Sequence, residues 1–179
     1  MKRFLTIGSF LLLAVMTACR HPATIETAPL SPGQQKLTTI DSLVWIQPDS
    51  ALTCLLACFD TAQDRHYANL LLAELLYKND YEQANRSELL EAVAYYDSLN
   101  TVPFLAARAH YINGVGYYEQ DSVVPACVEY LKAVEIMEER FPEKELVGQK
   151  AKFMALSYTH LCQLFSDQYL HEQAIYYGK

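Results

Sequence analysis

From Leu37 onward the apolar residues recur at helical spacing, and no long strand-type alternation interrupts them. That periodicity confines the chain to an all-α fold, and turn residues divide it into segments. Thr39 to Ile46 is a short predicted helix stopped by Pro48. Pro48-Asp49-Ser50 opens a second helix through Phe59, with Leu52, Leu55, Leu56 and Phe59 on one face. Asp64 opens a third, Leu-rich helix through Tyr77, which Asn79-Asp80 breaks. Ser87 is the candidate N-cap of a fourth, which reaches Leu99. Pro103 opens a fifth helix to Gln120, Asp121-Ser122 caps a sixth to Phe141, Pro142 opens a seventh to Phe165, and an eighth starts near Tyr169. Links this short make successive helices antiparallel neighbours.

Two of the helix pairs share a register. In the first, His110, Gly114 and Tyr117 are followed by Ala126, Tyr130 and Ala133. In the second, Tyr158, Leu161, Cys162 and Phe165 are followed by Ala174. Gly114 to Ala126 and Cys162 to Ala174 are both 12 positions. A small residue at Gly114 lets two helices approach closely, and Tyr117 and Tyr130 fill the gap between hairpins. This register resembles the tetratricopeptide repeat (TPR) family, whose signature is W-x2-L-G-x2-Y followed by A-x3-F at a period near 34 residues. His110 and Asn113 stand where that family has Trp and Leu, and Gly178 stands where the second copy would carry an aromatic residue. The copies are 48 positions apart, with the excess around Glu138 to Lys150, where overlong helices are expected. The resemblance is specific over residues 104–177 and architectural over 38–100.

Membership of that family implies hairpins stacked as a right-handed superhelix, each burying its face against its neighbours. The concave side then holds a peptide or protein partner. Carried over by position, the groove residues are Arg108, Tyr111, Val115, Tyr118 and Glu119 in one repeat, and Thr159, Gln163 and Asp167 in the next. The basic and Asn residues of the carboxylate-clamp TPRs are missing there, so chaperone C-terminal peptides are not the implied ligand. Exposed Tyr offers a partner large area with few rotors.

The N-terminus has a different logic. Lys2 and Arg3 precede an apolar stretch from Phe4 to Val15, too short for a permanent span of roughly 20 residues and of the right length for a secretory signal. It ends Val15-Met16-Thr17-Ala18-Cys19, which resembles the lipobox of bacterial lipoproteins, with Met16 where Leu is usual. The expected organisation is a lipoprotein signal peptide over 1–18, lipidation at Cys19, a flexible tether over 19–36 containing Pro22, Pro29, Pro32 and Gly33, and a TPR-like domain over 37–179 that is expected to stop partway through a repeat. Arg20 follows the Cys in place of the Asp that retains some lipoproteins in the inner membrane, so an outer-membrane anchor facing the periplasm is implied.

Charge and chemistry narrow the function further. With 14 Lys+Arg against 21 Asp+Glu the net charge is −7, which disfavours nucleic acid as a partner. Cys54 and Cys58 sit one turn apart, too far for an unstrained disulfide, and read as core thiols, as do Cys127 and Cys162. The five His form neither HExxH nor a zinc spacing. Glu135, Glu138 and Glu139 read as a solvated face. No catalytic residue, metal site or cofactor is implied. The expected function is that of a lipid-anchored, non-catalytic TPR module that binds protein partners. The alternative is the input domain of a longer TPR-containing signalling or transcriptional regulator.

Overall fold

The computed structural model describes residues 32–81 and 86–178. The expected signal peptide and Cys19 lie outside these residues. Of the stretch read as tether, 32–36 falls inside and already forms helix. The described residues contain eight α-helices and no strand: α1 (Pro32–Leu43), α2 (Pro48–Leu56), α3 (Arg65–Lys78), α4 (Arg86–Asp97), α5 (Pro103–Tyr118), α6 (Val123–Arg140), α7 (Gln149–Asp167) and α8 (His171–Tyr177). Short 3-10 turns at Phe59–Thr61 and Glu143–Glu145 complete the links. The fold is all-α.

Local chemistry explains most boundaries. Pro48 and Pro103 sit in the first turns of α2 and α5, where a missing N–H costs nothing. The Asp64 carboxylate caps α3 by accepting from the Tyr67 N–H at 2.9 Å. The turns after α3, α5 and α7 close alike. Asp80, Asp121 and Tyr169 take positive φ, of 55°, 54° and 58°. The next residue's N–H then donates five positions back: Tyr81 to Leu76, Ser122 to Tyr117, and Leu170 to Phe165. This closure satisfies carbonyls that the helix end leaves open.

The link between α6 and α7 differs from the sequence expectation. Pro142 does not open α7. Phe141 is extended because the following proline bars it from the helical region, and Pro142 itself has ψ 150°. Gly148, at φ 58°, then turns the chain into α7 at Gln149. The 48-residue spacing therefore combines this connector with the two longest helices, α6 at 18 residues and α7 at 19.

Each helix packs on its neighbours in sequence, and α1 also touches α3, α3 touches α5, and α5 touches α7. The odd-numbered helices thus form an inner row. One apolar cluster joins α1, α2 and α3 through Leu37, Ile40, Leu55, Leu71 and Leu75. A larger one runs from α3 to α7, with Leu70 and Ala73 on the other side of α3. Within α5, every residue from Ala106 to Gly116 is buried, which marks it as the central helix. Gly114 is required there: a Cβ at that position would stand 2.7 Å from the Tyr130 ring.

Candidate functional site

Three polar side chains lie inside α5, and a polar group buried there needs a partner. Arg108 is met by carboxylates from two other helices. Its Nε and Nη2 donate to the two Glu74 oxygens at 2.8 and 2.6 Å. Its Nη2 and Nη1 donate to the two Asp41 oxygens at 2.7 and 3.2 Å. The Tyr67 hydroxyl donates to Asp41 at 2.8 Å. Burial pushes the Glu74 carboxyl up, against the opposing pull of Arg108. Arg108 is held well above its ordinary value by the same carboxylates, which outweigh its own burial.

Two residues along, His110 points the other way. Its Nδ1 meets Glu129 of α6 at 2.7 Å and its Nε2 meets Asp97 of α4 at 2.9 Å. Burial alone would lower its pKa, but the hydrogen bonds to Glu129 and Asp97 prevail and raise it. A ring that donates from both nitrogens to ionised carboxylates is the imidazolium, and the raised pKa favours that form. The two networks tie α5 to α1, α3, α4 and α6.

The inner row closes over α5. Trp45, just past α1, reaches α7 and meets the Phe153 ring edge to face at 5.8 Å between centroids. The ammonium groups of Lys78 and Lys152 each lie 3.5 Å from the Trp45 ring centroid. Both ammonium groups are within cation–π reach of the indole. Burial lowers the pKa of both lysines, and Lys152 adds to the effect on Lys78.

The residues read as a groove therefore divide. Arg108, Tyr111 and Val115 are buried and cannot touch a partner in this structure. The reason is that α1, α3 and α7 cover α5: Asp41 and Glu74 take Arg108, and Tyr111 packs edge to face on Phe153 at 5.4 Å. Tyr118 is half-buried, while Glu119, Thr159, Gln163 and Asp167 are exposed. Asp167 gathers this open end, accepting from the Tyr118 hydroxyl at 3.0 Å and from Gln163 Nε2 at 2.7 Å. Of the thiols, Cys58 is buried and Cys54 exposed, with Cys127 and Cys162 between the two.

A second surface lies opposite. α6 carries two apolar stripes. Ala126, Tyr130, Ala133 and Met137 are buried, whereas Val124, Val128 and Leu131 are exposed. An open groove of about 650 Å³ runs beside the exposed stripe, bounded by Tyr158 of α7 and by Tyr176 and Tyr177 of α8. Its rim holds Glu129, Glu135, Glu138 and Glu139 against Lys132 and the His110 ring. The sequence signal for this surface was the second i, i+4, i+7 stripe on α6. The signal for the Arg108 cluster was spacing, since Asp41, Glu74 and Arg108 lie 33 and 34 positions apart.

Among the described residues, no three His, Cys, Asp or Glu side chains converge as metal ligands would. No helix of the described residues is long and apolar enough to cross a membrane. No protein-family model, curated protein or solved structure matches the chain.

Proposed function

We propose that this chain is a lipid-anchored, non-catalytic interaction module of TPR-like hairpins, stacked as a right-handed superhelix and facing the periplasm from the outer membrane. The observation that carries the repeat reading is the meeting of Asp41, Glu74 and Arg108. They come from three successive odd-numbered helices at intervals of 33 and 34 residues, the period of that repeat. The common closure of the turns after α3, α5 and α7 supports it. Repeat arrays of this kind present extended surfaces to protein partners. On the inner row, the open part is the end defined by Tyr118, Thr159, Gln163 and Asp167, and that end binds a protein or peptide. No cofactor takes part, and the acidic chain does not bind nucleic acid.

A photo-crosslinking residue placed at Thr159 in envelope preparations tests the binding reading. A discrete crosslinked band that disappears with Gln163→Arg is the expected result. A smear unaffected by Gln163→Arg would count against it. The anchor is tested separately. Cys19→Ala should abolish palmitate labelling and move the chain to the soluble fraction.

A further inference from the structure

The groove between α6 and α8 combines two features that select a partner. Its floor is apolar and open: Val128 is 58% exposed and Tyr176 73%, with Leu131 beside them. Its walls are acidic on balance: of four carboxylates, Glu129 meets His110 at 2.7 Å and Glu135 meets Lys132 at 2.9 Å, and Glu138 and Glu139 have no cationic partner among the lining residues. The Tyr158 hydroxyl donates to Glu138 at 2.6 Å, which fixes both the ring and the carboxylate in the wall. A groove of about 650 Å³ has room for the side chains along one face of a helix lying across it.

Charge decides among occupants. A second copy docked by the same face would bring the two sets of Glu together, in a chain whose net charge is already −7. An anionic lipid surface would be repelled for the same reason. A cationic segment gains from both features. We propose that this groove docks a basic amphipathic helix of a partner protein. Its apolar side chains rest on Val128, Leu131 and Tyr176, and its Lys or Arg side chains face Glu135 and Glu139. The proposal rests on the reading of the chain as an interaction module and adds a second surface, apart from Thr159 and Gln163.

The test uses the full chain and a fluorescein-labelled 18-residue Leu/Lys peptide with Leu at i, i+3, i+4 and i+7, followed by fluorescence anisotropy in physiological salt. Saturable binding is expected. Leu131→Lys and the pair Glu135→Lys with Glu139→Lys should each weaken it at least tenfold, with the helical circular dichroism unchanged. A Leu/Glu peptide of the same pattern, and a scrambled peptide that keeps the Lys count but loses the apolar face, should also bind at least tenfold more weakly. Equal affinity across the groove variants overturns the proposal, as does equal affinity for the scrambled peptide. If Gln163→Arg abolishes peptide binding and Leu131→Lys does not, the groove assignment fails while the interaction-module reading stands. Sedimentation that reveals a dimer dissociated by Leu131→Lys overturns the proposal in favour of a second copy.

Discussion

Arg108 and Glu74 face each other through two parallel hydrogen bonds, at 2.8 and 2.6 Å, from helices whose positions differ by 34 residues. Both side chains are fully enclosed, at 1% and 0% exposure. A guanidinium placed so deep is tolerated because its planar fork meets both carboxylates at once. Removing one partner strands the others. Arg108→Met is expected to destabilise the fold by about 3–5 kcal/mol in urea unfolding at pH 7. Adding Glu74→Met and Asp41→Asn should recover a substantial part of that loss, because the uncompensated charges go with the guanidinium. No recovery would mean that the packing of Arg108, rather than its charge balance, dominates.

His110 makes stability depend on pH. Its folded pKa is raised, so its ion pairs with Glu129 and Asp97 contribute fully below the unfolded value of about 6.5. They are lost as pH rises through the folded value above it. Urea midpoints should therefore fall across that window in the native chain and stay flatter in His110→Gln. At pH 6 the substitution should cost about 1–3 kcal/mol, as expected for hydrogen bonds to charged groups.

Gly114→Ala sets helix propensity against packing. Alanine favours a helix interior by about 0.8–1.0 kcal/mol over glycine. Its Cβ, however, would stand 2.7 Å from Tyr130, itself fully buried. Overpacking of this kind costs about 1–3 kcal/mol, so a net loss of stability is expected. Combining Gly114→Ala with Tyr130→Leu, measured by thermal melting, should return part of it.

Tyr111 and Gln163 are both groove residues on the sequence reading but occupy unlike places in the fold. Tyr111 is buried against Phe153, and Tyr111→Ala should cost about 3–5 kcal/mol. Gln163→Ala, on the exposed face of α7, should leave the melting temperature nearly unchanged.

Tyr169 holds φ 58° without glycine's freedom and is exposed. Left-handed backbone costs an ordinary residue roughly 1–2 kcal/mol, and Asn or Gly relieves it. Tyr169→Gly should therefore protect the α7–α8 turn more strongly in hydrogen exchange. Unchanged protection would show that the turn's strain is offset by contacts of the Tyr ring.

The helices and most of their ends are legible in the residues themselves. Helical spacing, Pro48, Pro103 and the Asp64 cap act within a few residues, so they are legible without the fold. The close approach at Gly114 was legible for the same reason, because a missing side chain beside Tyr130 has one steric use. Tertiary structure alone decided which surface is open. Arg108, Tyr111 and Val115 all follow the positional pattern of the resemblance, so they read as facing a groove. Burial instead depends on what lies across the space, and Asp41 reaches Arg108 from 67 positions away. Trp45 likewise meets α7 only because the odd-numbered helices stack into one row. On α6, a second apolar stripe at helical spacing reads locally as more of the same helix. Its exposure, and the acidic groove beside it, exist only because no other described helix packs against that side.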